Sequence, residues 1–88
     1  MNFPEARLPR LDAWRVTVAN ANVPNMVGQI STHIADAGLN IEDLLNKSVG
    51  DFAYTIVDVN KEPTEELLKE ISEIDGVLTL RNLGKPVT

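Results

Sequence analysis

The 88-residue sequence contains no cysteine. Disulfides, thiolate nucleophiles, iron–sulfur clusters and cysteine-based zinc sites are therefore excluded together. It has a single histidine, His33, too few for a multi-histidine metal site, and its carboxylates do not follow the spacing of a calcium loop. Basic residues are scarce, eight Lys and Arg against thirteen Asp and Glu, for a net charge of -5. Phosphate backbones bind through the opposite excess, so nucleic acid is a disfavoured partner. No uninterrupted apolar run approaches the roughly 20 residues that span a bilayer, and the N-terminus lacks a basic stretch followed by an apolar one. The expectation is one soluble, cytoplasmic domain without membrane contact, with 43% hydrophobic residues available for a single core.

Residues 1–12 contain Pro4 and Pro9 and no periodicity, which predicts an extended arm or linker. The folded domain is expected over 13–88. Trp14, Val16 and Val18 alternate with Arg15, Thr17 and Ala19, the period of a strand with two different faces. Asn22-Val23-Pro24-Asn25 ends it as a turn. Met26, Val27, Ile30, Ile34 and Ala37 fall on one helical stripe, with Asn25 placed as N-cap and Gly38 as a left-handed C-terminal cap. A second strand is expected from Leu39 to about Val49, a tight turn at Gly50-Asp51, and a third strand over Phe52 to Val59. Thr64 caps a second helix, whose stripe is Leu67, Leu68, Ile71 and Ile74. Asp75-Gly76 stops it, and Val77 to Leu83 forms a fourth strand.

The order is βαββαβ. Two helices with one apolar stripe each and four two-faced strands are satisfied by one antiparallel sheet carrying both helices on the same face, the ferredoxin-like plait of the α+β class. The other face must be solvated, covered by the arm, or used for association. Phe52 and Tyr54 share a face, and burial against the core or a partner is the expectation for them.

The sequence shows no catalytic constellation and no metal set. His33 lies mid-helix with Asp36 three residues on, able at most to form a surface pair, and Glu42-Asp43 and Glu65-Glu66 are sequential neighbours that do not converge. Asparagine is conspicuous instead: Asn20, Asn22 and Asn25 surround the end of the first strand, and Asn40 follows Gly38. An amide side chain both donates and accepts, so several together suit a small zwitterion, while the amides of a helix start at Asn25 suit its carboxylate. The plainer reading of the same residues is turn and cap chemistry.

Val16-Thr17-Val18-Ala19-Asn20-Ala21-Asn22-Val23-Pro24-Asn25-Met26-Val27, with Ile34-Ala35-Asp36-Ala37-Gly38-Leu39-Asn40-Ile41, resembles the ACT domain, a small-molecule-sensing module attached to enzymes of amino-acid metabolism. Tyr54 to Val59 and Ile74 to Arg81 resemble its third strand and its close. The leader Asn2 to Arg10 is similar to the linker entering the C-terminal regulatory domain of the D-3-phosphoglycerate dehydrogenases. That resemblance implies a regulatory, non-catalytic fragment of an NAD-dependent enzyme, with no cofactor of its own. It further implies L-serine as effector and a homodimer formed through the first helix and an edge strand. By the same resemblance the effector contacts are Asn20, Asn22 and Asn40, with the backbone of Val23, Pro24, Asn25 and Met26 beside them, and Asn20 and Asn22 of one chain facing Asn40 of the other. Asn20 stands where serine-regulated members carry histidine, and Asn25 where the family usually has glycine.

Two rival readings use the same order of elements. An RNA-recognition module would stack bases on Phe52 and Tyr54, but Asp51 would repel phosphate and Thr17 replaces the first-strand aromatic. A dimerisation domain without ligand needs no polar niche at all.

Overall fold

The computed structural model describes residues 12–86. Apart from Asp12, the expected arm lies outside them. The chain runs β1 (Trp14–Ala21), α1 (Met26–Asp36), β2 (Ile41–Val49), β3 (Phe52–Val59), α2 (Glu65–Ser72) and β4 (Val77–Gly84). The four strands form one antiparallel sheet in the order β2-β3-β1-β4. This is the ferredoxin-like plait, with β2 and β4 as its edges.

Register decides what each face carries. Val16 lies opposite Val57, and Val18 opposite Thr55; on this side Val16, Val18, Val57 and Val59 pack with Met26, Ile30 and Ile34 of α1 and with Leu67, Ile71 and Ile74 from α2 and the turn after it. Both helices therefore bury most of the stripes that their periodicity set out, but Val27 is only partly buried and Ala37, at the C-cap of α1, is exposed. α1 lies against β2, and α2 against β4. On the helix-free side Arg15, Thr17 and Ala19 face Asp58, Ile56 and Tyr54. Arg15, Thr17, Ile56 and Asp58 are buried there, so the central strands are buried on both faces. Phe52, expected in a core or interface, is 44% exposed in this chain, because it stands at the tip end of that face beside Val49 on the edge strand.

The helix ends correct two expectations. Ala37 closes α1, and the next amides turn back on it, Gly38 N–H donating to Ala35 O and Leu39 N–H to Ile34 O. With Gly38 at φ 83° this is a Schellman cap. It consumes Leu39, which is buried against the core, so β2 begins at Ile41 and not at Leu39. At the other end Asn25 caps no amide with its side chain; it adopts φ 66°, ψ 10°, the left-handed region. Thr64 behaves as expected, its Oγ1 accepting from Leu67 N–H at 3.1 Å.

Candidate functional site

The β1–α1 connection is held from two sides. Ala21 N–H donates to Gly76 O (2.7 Å) and Asn22 N–H to Asp51 O (2.8 Å). The Asn22 side chain adds a third tie, its Nδ2 donating to Gly50 O at 3.0 Å. Asn22 through Asn25 are all exposed, while Met26 is buried as the first core residue of α1. Left-handed Asn25 sends its Oδ1 over the α carbon of Gly28, where any Cβ would lie 2.4 Å from it. The start of α1 is thus open to solvent and uncapped, and a shallow depression of about 270 Å³ runs along it, lined by Asn25, Gly28, Gln29, Thr32 and His33.

Asn20 is placed otherwise. It is 1% exposed, and both ends of its amide are committed: Nδ2 donates to Ala21 O (2.9 Å), and Oδ1 accepts from the Thr55 hydroxyl (2.9 Å). Asn40 lies at the opposite end of the sheet. Its backbone exchanges hydrogen bonds with Asn60, Asn40 N–H to Asn60 Oδ1 (2.8 Å) and Asn60 N–H to Asn40 O (3.1 Å), and its side chain is exposed. Asn22 is level with Asp51 and Asn40 with Asn60, so β3 keeps them about 30 Å apart within one chain. One chain brings Asn20, Asn22, Val23, Pro24, Asn25 and Met26 to one end and leaves Asn40 at the other.

Two polar arrangements include residues that the sequence did not single out. Arg15 makes a bidentate pair with Asp58, Nε to Oδ1 at 2.7 Å and Nη2 to Oδ2 at 2.9 Å. Hydrogen bonding to Asp58 raises the guanidinium pKa, against the lowering by desolvation. On the helix side, Asn46 Nδ2 donates to Thr55 Oγ1 at 2.8 Å, which extends the Asn20–Thr55 contact into a row of three across β1, β3 and β2. Period-two reading carries the signal: Asn20 continues the Trp14, Val16, Val18 face and Thr55 the Ala53, Val57, Val59 face, and both are polar where the face is otherwise apolar.

His33 is half exposed, its Nδ1 3.8 Å from Glu70 Oε1 across the helix pair. A cavity of about 200 Å³ there is lined by His33, Asp36, Thr64, Glu66, Leu67 and Glu70, with Ala37. Among the described residues no group of three or more His, Asp or Glu could hold a metal ion, and no helix is long and apolar enough to cross a membrane.

No protein-family model matches the sequence, and no curated protein does. Solved structures do. The ACT domain from GTP pyrophosphokinase of Chlorobium tepidum superposes with a TM-score of 0.68 at 16% identity, over 80% of this chain and 95% of that one. The regulatory subunit of aspartate kinase from Thermus thermophilus gives 0.61 at 19% identity, over 81% and 51%. The C-terminal domain of the MgtC protein from Mycobacterium tuberculosis gives 0.67 at 14%, over 88% and 93%. At such identities the likeness concerns architecture, which hosts more than one function. The chain has the fold of the ACT domains.

Proposed function

We propose that this domain is a regulatory module that binds a free amino acid, L-serine first among them, in a niche shared by two copies of the chain. One observation carries the reading. The Asn22 side chain grips the β2–β3 turn at Gly50, and Asn40 immediately precedes β2, so the two asparagines mark opposite ends of one edge strand. Antiparallel pairing of β2 with the same strand of a second copy sets Asn40 of each chain beside the Asn22 end of the other. Such pairing also removes an unpaired edge and joins two four-stranded sheets into one of eight. The exposed start of α1 then lies next to the seam, with its free amides and positive dipole end available to a carboxylate.

In this reading the chain is the C-terminal regulatory domain of a D-3-phosphoglycerate dehydrogenase, and the effector reports serine supply to catalytic domains elsewhere in that enzyme. On the same reading, the NAD of such an enzyme belongs to its dinucleotide domain. The five glycines here stand at 28, 38, 50, 76 and 84, a spacing that forms no glycine-rich dinucleotide fingerprint. Isothermal titration of the domain with millimolar L-serine tests the proposal, with saturable heat at one site per chain as the expected result. Flat heats with serine and with each of the other common amino acids, from a protein that sediments as a dimer, would leave a dimerisation domain without effector.

A further inference from the structure

The row Asn20–Thr55–Asn46 has a fixed hydrogen-bond direction, and that direction can be worked out from one end. The carbonyl of Ala21 can only accept, so Asn20 must turn its Nδ2 toward it and its Oδ1 toward Thr55. The Thr55 hydroxyl must then donate its one proton to Asn20 Oδ1. Having spent that proton, Thr55 Oγ1 can only accept from Asn46, which must therefore present Nδ2 inward. The Asn46 carbonyl oxygen Oδ1 is left pointing away from the row as an acceptor. Asn46 is exposed, while Thr55 and Asn20 are 0% and 1% exposed, so the buried pair acts as a clamp on the amide of a surface residue.

We propose that Asn46 is a further effector-binding residue, whose outward carbonyl oxygen accepts a hydrogen bond from the ammonium group of the bound amino acid. The inference rests on the proposed function and deepens it. Three polar side chains occupy sheet positions whose neighbours Val18, Val57 and Leu44 pack against the helices. Replacing such neutral hydrogen-bonded partners together by apolar residues of similar shape is nearly neutral for stability. What the row supplies in return is an amide that cannot flip, on the helix-facing side of edge strand β2, where α1 comes alongside. A fixed acceptor repels a carboxylate and suits a donor, and the chain's net charge of -5 favours a cationic one. Asn46 also lies on β2 between Asn40 and the turn held by Asn22, on the strand along which the second copy is placed.

The test titrates wild type, Asn46→Leu, Thr55→Val and Thr55→Ser with L-serine and then with each other common amino acid, and repeats the best ligand as its N-acetyl derivative. Melting temperatures are recorded alongside. The expected result is that Asn46→Leu keeps the wild-type melting temperature and weakens binding at least tenfold, that Thr55→Ser binds within about threefold of wild type while Thr55→Val does not, and that the N-acetyl derivative fails to bind. If wild type binds and Asn46→Leu matches it within twofold, or the N-acetyl derivative binds as well as the free amino acid, this inference is wrong and the effector reading stands. If wild type binds no amino acid, both fall.

Discussion

At the scale of single residues, two positions carry more than their surroundings. Asn25 holds a left-handed backbone that costs an ordinary L-residue roughly 1 kcal/mol, and asparagine is among the few side chains that tolerate it. Asn25→Ala should therefore lower stability by about 1 kcal/mol, whereas Asn25→Gly should leave it unchanged or raise it slightly. Urea denaturation of the two variants checks this, and equal losses would show that the Asn25 side chain, not its backbone, matters. Gly28 makes the same point from the other side, since the Asn25 Oδ1 occupies the place of a Cβ there. The second position is Asp58. It is 1% exposed and closes both hydrogen bonds of the Arg15 fork. Asp58→Asn removes the negative charge that offsets the buried Arg15 guanidinium and one of the two carboxylate oxygens it binds, for an expected loss of about 3 to 5 kcal/mol. In a domain of this size each kcal/mol moves the melting temperature by about 4 to 8 °C, so thermal unfolding followed by circular dichroism should show a drop of 12 °C or more, roughly. A change under about 4 °C would mean that the pair contributes little.

At the scale of elements, the turns decide where strands begin. Gly38 and Gly76 both take positive φ, 83° and 102°, yet only Gly76 is hemmed in. A Cβ at Gly38 meets open space, while one at Gly76 lies 2.7 Å from the Met26 methyl and 3.6 Å from Ala21 Cβ. Gly38→Ala should cost about 1 kcal/mol from backbone strain alone. Gly76→Ala should cost more, about 2 kcal/mol, and should also loosen the β1–α1 segment, because Gly76 O holds Ala21 N–H. Faster amide exchange at Ala21 and Asn22 in Gly76→Ala, and not in Gly38→Ala, is the measurement.

These turns also mark how far the sequence was legible. Local signals place the elements well: the aromatic and β-branched run from Phe52 to Val59 is β3 to the residue, Thr64 and Gly38 cap where their chemistry suits, and both helical stripes, apart from Val27 and Ala37, line the core. The pattern starts β2 two residues early because a Schellman cap takes the residue after its glycine, and Asn25 stands at the N-cap as expected but through a left-handed backbone and not a side-chain hydrogen bond, since asparagine serves equally in both ways. Period-two alternation marks Asn20 and Thr55 as polar breaks in apolar faces, but which residues pair in the Arg15–Asp58 contact and the Asn20–Thr55–Asn46 row depends on strand register across separations of up to 43 residues, and that pairing no local pattern encodes. Of the candidate site, the cluster at the end of β1 was legible, but the commitment of Asn20 to the protein interior was not.

At the scale of the whole molecule, the distance between Asn22 and Asn40 turns the proposed site into a question about symmetry. If each niche takes Asn22 from one chain and Asn40 from the other, a two-fold dimer has two niches, each composed reciprocally. Asn22→Ala homodimers then lack one contact in both niches, and so do Asn40→Ala homodimers. Mixing the two variants behaves differently. In a heterodimer, Asn22 of the Asn40→Ala chain meets Asn40 of the Asn22→Ala chain, and one niche is whole while the other lacks both. Random exchange of equal amounts gives heterodimers as half of the population, so about a quarter of the wild-type sites should reappear at wild-type affinity. Titration of each variant alone and of the equilibrated mixture with the best-bound amino acid reads this directly. A niche built within one chain predicts no gain on mixing, since no rearrangement of partners could restore a residue missing from its own chain.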